Sequence, residues 1–173
     1  MWVDPPVKDS LSDDNVLSQG NFGLAESRLT GESGFNSVSG VVTSITQNVW
    51  TPVSGSFSFK SGSALGVAQV SNDELEITKP VKNQRIRVRC QISADASGGA
   101  ERVCGLRLSR STDGGMSWVQ MDDGVNFTNR STADSVVYET VDSTQEGYRY
   151  RLEVTNKESN ADLRLYAARI QVL

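Results

Sequence analysis

The chain of 173 residues contains no histidine. Without an imidazole there is no Ser-His-Asp or Cys-His relay, no histidine base and no histidine-liganded metal. Cysteine is nearly as scarce, and Cys90 and Cys104 alone cannot build a four-thiolate zinc or iron–sulfur site or a disulfide scaffold. The sequence nominates no catalytic residue, no metal ligand and no cofactor. No apolar run is long enough for a transmembrane helix, and no basic-then-apolar stretch follows Met1 as in a signal peptide. The mature protein is accordingly expected to begin at Met1, in a reducing compartment, without a membrane partner.

What charge there is lies unevenly. The formal net charge is −4, and all of it sits in the first 40 residues. Asp4, Asp9, Asp13, Asp14, Glu26 and Glu32 there face only Lys8 and Arg28, whereas the rest of the chain is balanced. The same segment is poor in apolar residues, has no sustained period and is punctuated by Pro5, Pro6, Gly20, Gly23, Gly31, Gly34 and Gly40. It cannot bury enough surface to offset its own ordering entropy. Two readings stay open, a disordered tail or an extended acidic arm over residues 1–40 that orders on a partner chain. In the second, Trp2, Val3, Leu17, Phe22, Leu24 and Phe35 are the sparse anchors.

From Val41 the pattern changes to short apolar alternations between Gly, Asn, Asp and Ser clusters, which is the punctuation of an all-β domain. Candidate strands run over 41–50, 55–60, 64–70, 74–78, 84–92, 102–110, 117–121, 135–141, 147–155 and 162–172. Ile86, Val88, Cys90 and Ile92 share one face of their strand, with Arg85, Arg87 and Arg89 on the other. Tyr148, Tyr150, Leu152 and Val154 do the same opposite Arg149, Arg151 and Glu153. In the last strand the apolar parity slips at Ala167-Ala168, and a slip of one residue turns later side chains to solvent unless a β-bulge absorbs it. A bulge is expected there. If residues 93–101 close a hairpin, Cys90 falls opposite Cys104; two reduced, buried thiols are preferred over a disulfide, because directly opposed strand positions suit one poorly.

Residues 111–118, Ser-Thr-Asp-Gly-Gly-Met-Ser-Trp, resemble the Asp-box S-x-D-x-G-x-[ST]-W of sialidases and other β-propeller proteins. In such a hairpin Asp113 accepts backbone N–H bonds, Gly115 takes a positive φ, and Trp118 packs back over the strands, with Ser111 opening the turn. Propellers carry several copies and are far longer than this chain. The single box therefore implies a structural hairpin and no enzyme.

A second resemblance covers the C-terminal half. The stretch Lys79-Pro80-Val81-Lys82-Asn83-Gln84-Arg85-Ile86-Arg87-Val88-Arg89-Cys90 resembles the turn-then-strand entry of C1q/TNF-like jelly rolls. Gly147 to Asn156, followed by Ala161 to Tyr166 and Ala168 to Leu173, looks like their last two strands. The resemblance implies a jelly-roll β-sandwich over residues 41–173, commonly a homotrimer. Copies of this kind are frequent in virion proteins of tailed bacteriophages, as capsid decoration (cement) proteins, head fibres and tail components.

The outward arginines admit a nucleic-acid reading, but the domain is neutral and acidic residues lie close by, so ion pairs are favoured and no nucleic acid is assigned. Arg87, Arg89, Arg149 and Arg151 are candidates for a subunit interface. The expected function is a non-enzymatic virion protein, assembled in the host cytoplasm, that decorates or cements a shell and partners the major capsid protein or another virion protein. The acidic arm would be its fastener. The alternative is a carbohydrate- or receptor-binding module of a tail or fibre, with Trp50 or Trp118 stacking on the sugar.

Overall fold

The structure, a computed structural model, describes residues 31–53, 59–61, 67–69, 74–80, 82–94 and 101–173. Among the described residues twelve strands follow one another, β1 (Gly31–Thr43), β2 (Thr51–Pro52), β3 (Phe59–Ser61), β4 (Val67–Gln69), β5 (Glu74–Ile77), β6 (Gln84–Ala94), β7 (Arg102–Ser111), β8 (Val119–Gln120), β9 (Val125–Asn129), β10 (Asp134–Asp142), β11 (Arg149–Asn156) and β12 (Leu163–Val172). They form two antiparallel sheets. The first runs β10-β6-β12-β1-β3; the second runs β4-β5-β11-β7-β8, with β2 added on β11 and β9 on β7. The chain changes sheet on both sides of β2, between β3 and β4, on both sides of β6, between β9 and β10, and on both sides of β11. This alternation makes a jelly roll rather than a stack of hairpins.

Strand parity builds the core. Ile86, Val88, Cys90 and Ile92 of β6 face inward, as do Leu106 and Leu108 of β7, Leu152 and Val154 of β11, and Leu163, Leu165, Ile170 and Val172 of β12, all buried. Burying each large aliphatic side chain contributes roughly 1.5–3 kcal/mol. Buried polar side chains tie the sheets together at their margins. Asn129 of β9 donates Nδ2–H to the Ile92 carbonyl at 2.8 Å and accepts Ala94 N–H at 2.8 Å, joining the second sheet to the first. At another margin Asp142 of β10 accepts Arg110 Nη1–H at 2.7 Å and the Tyr150 hydroxyl at 2.6 Å.

Several expectations need correction. β1 begins at Gly31 and pairs with β12 from Gly31–Val172 onward, so residues 31–40 belong to a sheet and not to an arm. Phe35, expected as an arm anchor, is a core residue at 2% exposure. Low local hydrophobicity concealed this strand, whose pairing partner β12 lies far away in the sequence. The bulge in β12 falls one residue earlier than expected. Leu165 pairs with Ile92 and Ala167 with Gln91, leaving Tyr166 as the extra residue. β6 and β7 lie in different sheets and do not pair as the expected hairpin. Cys90 instead stands beside Val136 and Ala168, and Cys104 beside Phe127 and Asn156; both are buried free thiols. The candidate strand 41–50 ends at Thr43, and β9, rich in Asn and Thr, was not anticipated.

Candidate interaction surfaces

The hairpin between β7 and β8 is held from within. The Ser111 hydroxyl donates to Asp113 Oδ1 at 2.7 Å and accepts Gly115 N–H at 2.8 Å. Asp113 Oδ1 also accepts Ser117 N–H at 2.9 Å, and Oδ2 accepts the Ser117 hydroxyl. The hydroxyls of Ser111 and Ser117, then the Ser117 amide, hold the Asp113 carboxyl well below its ordinary pKa. Gly114 and Gly115 take φ of 76° and 96°, the left-handed region that a side chain would strain. Trp118 Nε1–H closes the turn on the Gly115 carbonyl at 3.1 Å.

Trp118 also begins a ladder across the outer face of the second sheet. The Arg151 guanidinium lies over its ring, 4.3 Å from the centroid, and at the far end Arg107 lies over Trp50 at 4.4 Å. Between the two arginines, Glu153 accepts Arg107 Nε–H at 2.8 Å and Arg151 Nη2–H at 2.7 Å. Burial pushes the Glu153 pKa up, but the Ser109 hydroxyl and the two guanidiniums outweigh it and hold the carboxyl below its ordinary value. Gly105 makes room for this stack, since a Cβ there would lie 2.6 Å from the Trp50 ring. On the same face Arg149 donates to Glu76 at 3.1 Å and sits 3.5 Å from Glu74. Every arginine on this face thus has its carboxylate in the same chain.

The outer face of the first sheet differs. Its registers place Val137, Arg89, Arg169 and Gly34 in one row, with Glu139, Arg87, Gln171 and Glu32 in the next and Ser135, Gln91, Ala167 and Asn36 on the other side. Glu139 is held by Arg85 at 2.8 Å and by Arg87, whose hydrogen bond leads the effects lowering its pKa. Glu32 accepts Gln171 Nε2–H at 2.9 Å. Arg89 is exposed and has no carboxylate partner among the described residues. Val137 and Val141 are more than half exposed. A shallow depression of about 330 Å³ lies here between Arg89, Arg169, Gln91, Ser135 and Val137. Beside it, a second of about 460 Å³ is lined by Asn36, Val38 and Tyr166. The β12 bulge contributes Tyr166, and a matching irregularity lifts residues 37–40 of β1 out of the ladder.

The four interface candidates are therefore divided. Arg87 and Arg89 lie on the outer face of the first sheet, while Arg149 and Arg151 lie on that of the second, already paired. One flat contact cannot use all four. Trp2, Val3, Leu17, Phe22 and Leu24 lie outside the described residues. The residues that sequence reasoning passed over are Glu139, Val137 and Val141, while Glu153 was placed on the outward face without a role. For Val137 and Val141 a signal existed, because they alternate with the buried Val136 and Tyr138. Asp122 accepts Gly124 N–H at 2.8 Å and the Tyr138 hydroxyl, which is turn and corner chemistry. Among the described residues no group of three or more His, Cys, Asp or Glu is placed to hold a metal. No helix among them is long and apolar enough to cross a membrane.

Together these sheets and crossovers define an all-β jelly roll. Murine APRIL, in a crystal structure at pH 8.5, superposes with a TM-score of 0.50 over 83% of this chain and 98% of its own, at 16% identity. The globular domain of a zebrafish complement 1qA protein follows at 0.46, with 18% identity over 83% of this chain and 94% of its own. The PRD1 vertex protein P5 stands at 0.45, with 10% identity over 84% and 98%. At such identities the likeness is one of fold. No family model and no curated protein matches the chain.

Proposed function

We propose that the chain is a non-enzymatic structural protein of a virion, a decoration or cement protein that associates as a homotrimer and fastens to a shell protein through its acidic N-terminal residues. The contrast between the two outer faces supports this reading. The second sheet's arginines are stacked and paired within the chain, whereas the first sheet exposes Val141 beside Arg85 and Val137 beside Arg89, which has no carboxylate partner among the described residues. Apolar side chains next to arginine are the composition of a protein contact. The first sheet's outer face is thus the association face, and Arg87 and Arg89 are its interface arginines. The sugar-stacking alternative has less to rest on, since Trp50 and Trp118 each have a ring face taken by an arginine.

Two experiments test the two halves of the proposal. Light scattering on the purified chain is expected to give a trimer mass that Val137→Glu lowers to a monomer; an unchanged mass refutes the association face. Removing residues 1–30, which leaves β1 intact, is expected to abolish co-sedimentation with bare shells. Undiminished binding refutes the fastener.

A further inference from the structure

Strand β10 is the margin of the first sheet, and its outer edge has no pairing strand among the described residues. It pairs with β6 over nine residues, Asp134–Asp142, without a register shift. In an antiparallel ladder every second residue turns its N–H and C=O toward the neighbour, so the alternate residues of β10 turn theirs outward. The other short marginal strands, β2, β3, β4, β8 and β9, run only two to five residues. Long edges are ordinarily blunted by lysine, proline or a bulge, and β10 has none of these, nor any glycine or arginine. It shows Val137 and Val141 to solvent at 53% and 58% exposure. A straight, partly apolar, unblunted edge is a template for one more strand.

The sequence of the strand selects the occupant. A two-fold axis perpendicular to the sheet sets outward residues opposite outward ones, and the residue on the axis then fixes the register. With Val137 on the axis, Val137 meets its own counterpart, Val141 meets Ala133 and Glu139 meets Ser135. On the inward side Val136 meets Tyr138 and Asp134 meets Thr140. No like charges oppose each other, and the apolar side chains meet apolar ones, the pairings that stabilise cross-strand neighbours. The adjacent registers lack this. An axis on Tyr138 opposes Asp134 and Asp142, one on Glu139 opposes that carboxylate to itself, and one on Val136 sets Asp134 against the Tyr138 ring. We propose that β10 pairs with the β10 of a second copy of this chain, antiparallel about Val137, and joins two first sheets into one continuous sheet. A seam of two strands is weak by itself, so the pairing forms between concentrated chains. It goes beyond the trimer of the proposed function, since it uses backbone groups at an edge and a single partner, whereas the association face uses side chains.

The test uses the full chain carrying a nitroxide on one introduced cysteine, Ser135→Cys or Val141→Cys. Both positions are exposed, whereas Cys90 and Cys104 are buried. Antiparallel strands rise about 3.4 Å per residue and lie about 4.8 Å apart. In concentrated protein the two copies of residue 135, two positions from the axis, should therefore stand about 14 Å apart at the backbone, and those of residue 141, four positions away, about 28 Å. Electron paramagnetic resonance reads both separations. In the parent chain, hydrogen exchange at alternate amides of β10 should slow at least about fivefold as concentration rises, the slowing expected once four chains in five are paired. Absence of dipolar coupling at both sites overturns the pairing, as do equal separations at the two sites or β10 exchange that ignores concentration. A trimer mass in dilute solution alongside any of these leaves the proposed function standing. The two separations and the slowed exchange, found where no trimer forms, leave the pairing standing without it.

Discussion

Glu153→Gln is the most informative single change in the ladder. The Glu153 side chain is 4% exposed and accepts from Arg107 Nε at 2.8 Å and from Arg151 Nε and Nη2 at 3.0 and 2.7 Å. A glutamine of the same shape keeps one acceptor for Arg151 but turns an NH2 toward Arg107, donor against donor. Losing a charge-assisted hydrogen bond costs about 1.5–3 kcal/mol. The arginine side chains are 16% and 24% exposed, so water softens the loss, and about 2 kcal/mol is the expected destabilisation. In urea the midpoint should fall with m unchanged, and near-ultraviolet dichroism should change as the guanidiniums loosen over Trp50 and Trp118. The pH dependence has a definite sign. Because folding depresses the Glu153 pKa, its contribution is complete above the unfolded value of about 4.5 and is lost as pH falls through the lower folded value. The gap between parent and variant should therefore be full at pH 7 and close in acid. A loss under about 0.5 kcal/mol at pH 7, within the range of ordinary surface substitutions, refutes the ladder as a stabilising unit.

Phe35→Ala, in a strand first read as arm, should cost about 3–5 kcal/mol in urea unfolding, the loss for a core aromatic and not for a tail residue. Gly124→Ala should cost about 2–3 kcal/mol by the same measurement, since Gly124 has φ of 69° and a Cβ would come 2.3 Å from the Leu106 carbonyl oxygen. Cys90 and Cys104 should resist a thiol reagent in the folded protein and both react once it is unfolded. Burial raises both thiols, Cys104 to about 11, with Glu158 adding to the effect. Asp113→Ala should release the Ser117 amide to faster hydrogen exchange while core amides of β6 and β12 keep their protection.

The all-β jelly roll and the buried faces of β6 and β11 could be read in advance because side chains alternate with a strict period of two, and burial of one face repeats that period in residue type. The parity slip in β12 announced a bulge for the same reason. Its position shifted by one residue because two outward residues, Tyr166 and Ala167, separate the inward ones, and the ladder alone chooses between them. β1 was hidden since its residues are poor in apolar side chains and its ladder partner β12 lies more than a hundred positions away.

The sequence by itself determined what this chain lacks, how its charge is divided, and which side of each long strand faces inward. These are properties of residues and near neighbours. Tertiary structure alone decided that β6 and β7 belong to different sheets, so that Cys90 and Cys104 never face each other. It also decided that Arg87 and Arg89 look away from Arg149 and Arg151, and that Arg149 and Arg151 have carboxylates while Arg89 has none among the described residues. The reason is that strand pairing across a jelly roll joins distant segments through backbone hydrogen bonds that carry no residue code. Which charges meet is settled only when the registers are.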